Sequence, residues 1–340
     1  MKQVAILVPE RSVLQAVADP QYCLQAVNQF LIQSGKAPLF QVQLVGLHRE
    51  VRLNDGRFSV HTDRLLHEVE KVDLIFIPAL FGDLETAVAA NQALVPWLVA
   101  QYNKGAELAS LCLGAFLLAA TGLLKGKKCS THWNFISKFR NLYPDVAVQE
   151  GLIVTEENGI YTSGGAHSYW RLLLHLVEKF TDRQTAVLVA KYFAVDIDRH
   201  SQSAFAIFRG QKEHEDEAIK KAQEYIEQHV DEKITIEDLA GRVAVGRRSF
   251  ERRFRQATCN SVLEYMQRVK IEAAKRQFET GRKTISEVMY EVGYTDTKAF
   301  RTTFKKVTGL TPIAYRNKYN KSGLFKREKE DFAMADAPLW

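Results

Sequence analysis

Apolar and polar positions give the two halves of the chain different patterns. Up to about residue 180, short apolar runs alternate with longer segments that carry apolar residues every three or four positions. The strand-like runs cover residues 4–8, 40–47, 72–78, 107–111, 146–155 and 159–162. The helix-like segments cover residues 21–33, 84–102, 115–121 and 167–180. Apolar strands that alternate with helices predict a parallel sheet covered by helices on both faces.

The strand pattern ends before residue 200. Residues 185–193 fit one more helix, a polar stretch follows, and residues 213–319 contain helical patterns only. We therefore predict two domains of different class. The predicted segments are an α/β domain at 1–183, a helix and connector at 184–213, an all-α domain at 214–318 and a polar tail at 319–340.

The all-α region repeats one pattern about fifty residues apart. Each copy has a threonine that can cap a helix and two phenylalanines, four residues apart, on the inward face of the next helix. These residues are Thr235, Phe250 and Phe254 in the first copy, and Thr284, Phe300 and Phe304 in the second. Residues 262–280 form one long helical segment between the copies. The pattern predicts two helix-turn-helix units joined by a rigid spacer.

The positive charge lies in the all-α region. Residues 1–216 contain 21 Lys and Arg against 22 Asp and Glu, whereas residues 217–318 contain 21 against 14. The last 22 residues carry four of each and cancel. A basic domain joined to a neutral one indicates a polyanionic partner, and nucleic acid is the commonest.

Cys112 lies between a predicted strand and a predicted helix, with Gly114 two residues later. Such a tight strand-to-helix turn presents a nucleophile in several hydrolases. A catalytic thiolate also needs a base or a cation to lower its pKa, and His132 is the candidate. Three interpretations remain open: Cys112 is a nucleophile, it lines a ligand pocket, or it is a buried structural thiol.

Several classes of site and location are not indicated. The four cysteines have no paired spacing, so we expect neither disulfides nor a metal site. We find no phosphate-binding loop or nicotinamide fingerprint and expect no cofactor. No apolar run is long enough to cross a bilayer, and residues 1–11 do not resemble a signal peptide. We therefore expect a cytoplasmic protein without a membrane partner.

Residues 215–318 resemble the DNA-binding domain of AraC-type transcriptional regulators, above all in the segment GYTDTKAFRTTFKKVTGLTPIAYR. The resemblance implies contacts to bases or backbone from the second helix of each unit. The expected DNA-binding residues are Arg247, Arg248, Glu251, Arg252 and Arg255 in the first unit and Thr297, Lys298, Arg301 and Lys305 in the second. Thr302 stands where the family commonly has arginine, so we expect the second unit mainly to grip the DNA backbone.

Residues 3–181 resemble the class I glutamine amidotransferase-like superfamily, which includes intracellular-protease and deglycase-type proteins. The resemblance depends on ELASLCLGAFLLAATGLLKGKK, STHW and NGIYTSGGAHSYWRLLLHLVEKF. It implies a flavodoxin-like α/β sandwich that senses a small molecule. Two catalytic positions depart from the relatives, with Leu113 in place of a histidine and Ala16 in place of an acidic residue. The expected ligand-binding residues are Glu10, Cys112, Leu113, His132, Trp133 and His167.

These observations lead to one hypothesis and one rival. The hypothesis is a sequence-specific bacterial transcriptional activator that binds double-stranded DNA and a small-molecule effector. It would form a homodimer through the first domain, contact RNA polymerase and change state at the connector around residues 195–212. The rival is a thiol-dependent deglycase or amidohydrolase that uses Cys112 and His132 and also binds DNA. A redox sensor that uses Cys112 is a third interpretation.

Overall fold

The computed structural model describes residues 1–197, 201–212 and 214–320. The chain divides into two compact units, the first ending at Gln202 and the second beginning at Ser203. Each unit contains two clusters of buried apolar side chains. The polar tail expected at 319–340 lies outside the described residues except for its first two positions.

A mostly parallel sheet forms the centre of the first unit. In the part of the chain that the structure describes, seven strands join in the order β10-β11-β7-β6-β1-β2-β5, and only β10 runs antiparallel to its neighbour. Two short two-stranded pairs, β3–β4 and β8–β9, lie beside it. The strands are β1 (Lys2–Leu7), β2 (Phe40–Gly46), β3 (Glu50–Leu53), β4 (Phe58–His61), β5 (Arg64–Leu65), β6 (Leu74–Ile77), β7 (Glu107–Ser110), β8 (Lys128–Cys129), β9 (Ala147–Val148), β10 (Val154–Glu157) and β11 (Ile160–Ser163).

Helices cover both faces of this sheet. Side chains alternate along a strand, so Val4 and Ile6 of β1 enter one core cluster while Ala5 and Leu7 enter the other. Helices α1, α6 and α7 pack on the first cluster, and α2 to α5 pack on the second. They are α1 (Leu14–Gln33), α2 (Leu84–Ala90), α3 (Leu94–Asn103), α4 (Ala115–Ala120), α5 (Ile136–Leu142), α6 (Trp170–Phe180) and α7 (Arg183–Tyr192). The predicted flavodoxin-like sandwich, a parallel sheet between two layers of helices, is confirmed.

The predicted single helix at 84–102 is wrong, because two helices occupy that stretch. The Asn91 side chain donates to the carbonyl oxygens of Ala87 and Glu10 at 2.8 Å each and accepts from the Glu10 N–H at 2.9 Å. This buried amide ends α2 by competing for backbone groups, which is typical of asparagine. Helix α1 also begins seven residues earlier than predicted and includes Pro20.

The segment expected to be a helix and connector, 184–213, is divided between the two units. Helix α7 packs into the first unit through Ala186, Val189 and Ala190. From Ser203 onward the chain packs on the second unit, where Phe208 contacts the buried cluster that contains Phe250 and Phe254. Its backbone is held there by two side chains of one helix, since Lys275 donates to the Ala206 oxygen at 2.6 Å and Glu272 accepts from the Phe208 N–H at 3.1 Å.

The second unit consists of helices and repeats its local structure. Three capping boxes, at Thr235, Ser261 and Thr284, begin α9, α11 and α12. The third helix of each repeat ends in a left-handed residue, Cys259 or Gly309, fifty positions apart. The helices are α8 (Glu217–Gln228), α9 (Ile236–Arg242), α10 (Arg247–Thr258), α11 (Val262–Thr280), α12 (Ile285–Glu291), α13 (Thr297–Thr308) and α14 (Pro312–Tyr319).

Helix α11 belongs to both repeats. Its first half, including Tyr265 and Val269, packs in the core under α10, and its second half, including Ile271 and Phe278, packs in the core under α13. The helix predicted as a spacer is therefore also the last helix of the first repeat and the first helix of the second. The two helix-turn-helix units share a continuous rigid element.

Candidate nucleic-acid interface and candidate ligand pocket

Helix α10 presents three arginines to solvent. Phe250 and Phe254 are fully buried on its inner face, so the register of the helix leaves Arg248, Arg252 and Arg255 exposed. Among the residues that the structure describes, none of these three arginines forms an ion pair. Like charges on neighbouring turns repel one another, so this surface favours an anionic partner.

Two other arginines of α10 are engaged within the protein. Arg247 pairs with Glu237 and lies 3.5 Å from Glu251. Arg253 donates two hydrogen bonds, at 2.6 and 2.8 Å, to the carboxylate of Asp216. These hydrogen bonds to the Arg253 guanidinium lower the pKa of Asp216 below its usual value. Arg253 therefore attaches α10 to the start of α8 and is not available to a ligand in this arrangement.

Helix α13 repeats the geometry with different side chains. Phe300 and Phe304 are buried, and Asp296 caps the helix by accepting from the Ala299 N–H. Within the described parts of the chain, none of the four cations on its outer face forms an ion pair. The exposed polar residues on this face are Thr297, Lys298, Arg301, Thr302, Lys305 and Lys306.

Cys112 lies at the carboxyl end of β7 in a strained turn. Its φ is +53°, in the left-handed region that side chains other than glycine seldom adopt. Gly114 must be glycine here, since a Cβ would lie 2.4 Å from the Ile77 oxygen and 2.6 Å from the Pro78 oxygen. The turn thus has the shape of a nucleophile elbow.

The environment of Cys112 differs from that of an activated thiol. The residue is only 4% exposed, and burial raises the pKa of its thiol to about 12, although a backbone hydrogen bond from Leu113 acts in the opposite direction. Burial also lowers the pKa of His132, whose Nδ1 accepts from the Asn134 N–H at 3.2 Å. No hydrogen bond between Cys112 and His132 occurs in the described structure. The arrangement keeps the thiol protonated at neutral pH.

The expected pocket residues lie on loops that follow several strands. Glu10 follows β1, Cys112 and Leu113 follow β7, and His167 follows β11, so these loops extend from the same edge of the sheet. Glu10 lies 3.7 Å from the His48 imidazole, and Gln15 lies 3.4 Å from His167. His132 and Trp133 follow β8, and their ring centroids lie 5.3 Å apart with the ring planes tilted by 33°.

Two further residues that the sequence did not suggest lie close to this edge. Asp19 accepts hydrogen bonds from the Tyr169 hydroxyl at 2.7 Å and from the Trp170 indole at 2.8 Å. Gln202 is 1% exposed, donates to the Thr131 oxygen at 3.0 Å and accepts from the Trp133 N–H at 3.2 Å. Asp19 could have been found as a charged residue between the apolar positions of a helix. Nothing in the local sequence indicates Gln202.

Gln202 connects the loop that follows β11 with Thr131, a residue that contacts the backbone of Cys112. A Cβ on Gly164 would lie 2.3 Å from its side-chain nitrogen, so the glycine leaves room for the amide. Thr131, whose backbone oxygen accepts from Gln202, donates its hydroxyl to the Cys112 oxygen at 3.2 Å. The last residue of the first unit thus contacts loops on which three of the expected pocket residues lie.

Comparison with known proteins assigns both halves. The DJ-1/PfpI family model matches residues 30–179, and a helix-turn-helix domain model matches residues 239–318. The first half of the chain is therefore similar to the DJ-1/PfpI family, and the second half is similar to helix-turn-helix domains of the AraC type. The DJ-1/PfpI domain contains Cys112, and the helix-turn-helix model spans α10 to α13 with all the expected DNA-binding residues.

Two transcriptional regulators are similar to this chain over most of their length. The HTH-type transcriptional regulator CdhR of Pseudomonas aeruginosa is 25% identical over 311 residues, which cover 90% of this chain and 89% of CdhR. The HTH-type transcriptional regulator GlxA of Rhizobium meliloti is 22% identical over 321 residues, or 94% and 96% of the two chains. A crystal structure of a Vibrio parahaemolyticus protein, 21% identical with a TM-score of 0.51, covers 56% of this chain and 98% of that protein and supports the fold alone.

The described residues contain neither a membrane-spanning helix nor a metal cluster. No helix there combines the length and the apolar character that a bilayer crossing requires. No group of three or more His, Cys, Asp or Glu side chains is arranged around a common point in that part of the chain. All four cysteines are unpaired, and only Cys259 is exposed.

Proposed function

We propose that this DJ-1/PfpI–AraC-type protein is a sequence-specific transcriptional activator that acts in the bacterial cytoplasm. The observation that carries the proposal is the repeated presentation, on α10 and α13, of exposed cations that form no ion pair within the described residues. Three such cations on α10 and four on α13 face solvent, held there by buried phenylalanines at equivalent positions. Relatives over nearly the whole chain are named as transcriptional regulators, which supports the same function.

DNA recognition follows from this geometry. The second helix of a helix-turn-helix enters the major groove, where arginine can donate two hydrogen bonds to guanine. Arg248 and Arg252 are the base-reading candidates of α10, and Glu251 can accept from cytosine once it leaves Arg247. Thr297, Lys298 and Arg301 of α13 enter a second groove, and Arg255 and Lys305 contact phosphates. Two units on one rigid helix then occupy successive grooves on one face of the duplex.

An effector site in the DJ-1/PfpI domain is the second part of the proposal. We place a small molecule at the carboxyl edge of the sheet, near Cys112, where ligands bind in folds of this class. Glu10, Leu113, His132, Trp133 and His167 would surround it. Gln202 supports a route to the DNA-binding unit, because it contacts the Trp133 and Gly164 loops and is followed directly by Ser203.

Effector binding can change DNA occupancy only if it favours one arrangement of the chain over another. Displacement of the Thr131 or Trp133 loop would break hydrogen bonds of Gln202 and release the chain before Ser203. Homodimerisation through the first domain and contact with RNA polymerase complete the proposed activation mechanism.

We further propose that the domain is a sensor and not a thiol enzyme. The high pKa of Cys112 supports this, because a protonated thiol is a poor nucleophile at neutral pH. The test compares iodoacetamide modification of Cys112 with that of the exposed Cys259 in the folded protein near pH 8. We expect Cys259 to react first and Cys112 to become reactive only in strongly alkaline solution. Rapid Cys112 modification, or aldehyde or amide turnover that Cys112→Ala abolishes, would support the rival enzyme.

DNA binding itself is tested with fragments selected from a random pool by the full chain. The wild type should retain a selected fragment against excess competitor at physiological salt, whereas Arg252→Ala should weaken that binding by about 1–3 kcal/mol. Lys221→Ala is the matched control, since Lys221 is an exposed cation on α8, outside the recognition helices. Equal losses for the two variants would contradict the assignment of α10.

A further inference from the structure

Lys270, in the middle of α11, uses its ammonium group to join three backbone segments. It donates to the oxygen atoms of Val230 at 2.6 Å, Glu232 at 3.1 Å and Val292 at 3.1 Å. An ammonium group has three N–H donors and no acceptor, so three carbonyl oxygens satisfy it completely. The hydrogen bonds to the charge thus come from backbone carbonyl groups, and the nearby Asp231 carboxylate adds an electrostatic contribution that favours the charged form.

The three acceptors belong to different helix-turn-helix units. Val230 and Glu232 lie in the loop between α8 and α9, which belongs to the first unit. Val292 is the C-cap of α12, and its carbonyl group lies directly before the turn that leads to α13. Hydrogen bonds to both segments from one atom fix the distance between them.

The two segments also touch each other. A Cβ on Gly293 would lie 2.4 Å from the Lys270 nitrogen and 2.5 Å from the Asp231 oxygen, so only glycine permits this approach. The Val230 side chain contacts the core clusters of both units. Burial lowers the pKa of Lys270, as expected for an ammonium group withdrawn from water at such a junction.

We propose that Lys270 is a positioning residue for DNA recognition, which sets the spacing and rotation of α13 relative to α10. The inference depends on the proposed DNA-binding function. It adds that a long helix alone does not align the two recognition helices, because each is attached to α11 through loops and side chains. Lys270 bonds to the loop before α9 and to the end of α12, and so joins the first helix of each helix-turn-helix.

Rigid alignment has a measurable consequence in the DNA sequence. Each inserted base pair moves one half-site by about 3.4 Å and rotates it by about 35° relative to the other. A protein with rigidly aligned recognition helices loses contacts at one half-site after an insertion. A protein with loosened alignment binds less tightly overall but tolerates the insertion better, because the second contact depends on effective concentration and linker stiffness.

The experiment uses the full chain and a two-part site that the wild type has selected from a random pool. One or two base pairs are inserted between the half-sites, and affinity is measured for wild type, Lys270→Met and Arg276→Met. Arg276 is exposed on the same helix, and its substitution removes one positive charge without touching the carbonyl groups. We expect the insertion to weaken wild-type and Arg276→Met binding by about tenfold or more.

For Lys270→Met we expect weaker binding to the original site. We also expect the insertion penalty, which is the loss of affinity that the inserted base pairs cause, to stay below about threefold. Lys270→Arg, which keeps several N–H donors, should restore most of the wild-type penalty. If Lys270→Met proves unfolded by circular dichroism, Lys270→Gln provides the same measurement with fewer donors. An unchanged insertion penalty in the folded variant would overturn the role of Lys270.

Failure of the underlying function has a different signature. If the wild type selects no two-part site at all, the proposed DNA-binding function is contradicted. If the wild type discriminates spacing and the Lys270 variants discriminate equally well, only the positioning role is contradicted.

Discussion

The two helix-turn-helix units have the same framework and different outer surfaces. Phe250 and Phe254 in the first unit correspond to Phe300 and Phe304 in the second, and all four are buried. A threonine, Thr258 or Thr308, precedes each left-handed helix end. In both copies its hydroxyl donates to the backbone oxygen of a phenylalanine at 2.8 Å. Burial constrains these positions in both copies.

The exposed positions have diverged. In the first unit Glu237, Glu251 and Asp216 partly neutralise the arginines of α10, so only three of its five arginines face solvent without an ion pair. In the second unit three lysines and one arginine of α13 face solvent, and threonines lie between Lys298 and Lys305. Arginine favours paired hydrogen bonds to guanine, whereas lysine acts as a point charge. We therefore expect the first unit to read bases and the second unit mainly to contact phosphates.

Core substitutions test whether the two frameworks are equivalent. Phe254→Ala and Phe304→Ala each remove a fully buried ring, and we expect each to lower the free energy of unfolding by about 3–5 kcal/mol. Urea denaturation of the full chain measures both, analysed with separate transitions if the two units unfold independently. A cost below about 1 kcal/mol for one of the two would show that the repeats do not pack alike.

Outer-surface substitutions test the difference between the units. Arg252→Ala should cost about 1–3 kcal/mol of DNA-binding free energy and relax the preference at one base position. Lys298→Ala should weaken binding to all sequences alike and reduce the slope of log affinity against log salt by about 1. Selection on randomised sites followed by salt titration distinguishes these outcomes. A base-specific loss from Lys298→Ala would mean that both units read bases.

The turns of the two units offer a smaller effect. Ala244 adopts a φ of +52°, whereas glycine occupies the corresponding turn at Gly293 with +72°. We expect Ala244→Gly to raise the free energy of unfolding by about 0.5–1 kcal/mol, since it removes left-handed strain. Gly293→Ala should lower it, because the added Cβ would also meet the Asp231 oxygen. Thermal denaturation of both variants should therefore shift in opposite directions.

The smallest expected effect concerns two capping aspartates. Asp216 caps α8 and pairs with Arg253, whereas Asp296 caps α13 and forms no ion pair in the described structure. Asparagine keeps the cap but removes the charge, so Asp216→Asn should destabilise the fold more than Asp296→Asn at neutral pH. The pKa of Asp216 is lowered in the folded protein. The stability difference between the two variants is therefore complete above the pKa that Asp216 has in the unfolded chain, and it disappears as the pH falls through the pKa of folded Asp216. Stability curves at about pH 7 and about pH 3 test this, and a difference that grows in acid would contradict it.

Much of this architecture follows from the sequence. Hydrophobic periodicity was sufficient for the parallel sheet and for the paired helix-turn-helix units, because both bury regular apolar faces. It failed at Asn91, where a polar side chain divides a continuous apolar pattern into two helices. It also did not show that α11 forms part of both units, since that depends on tertiary packing of its two halves.

The candidate sites were predictable to different degrees. The recognition-helix residues could be found because exposed cations and buried phenylalanines follow one helical period. The Cys112 turn could be located, but the pKa of its thiol depends on burial by distant residues. Lys270 and Gln202 act through hydrogen bonds to backbone groups between 22 and 71 residues away, and no local pattern records such contacts.

Hydroxyl-radical footprinting of the full chain on a selected fragment is the most direct test of DNA recognition by paired helices. We predict two protected windows on one face of the duplex, with centres about 10 base pairs apart, one helical turn. Arg252→Ala should weaken one window, and Arg301→Ala should weaken the other. A single window, or protection that does not depend on either arginine, would contradict the claim that α10 and α13 occupy successive major grooves.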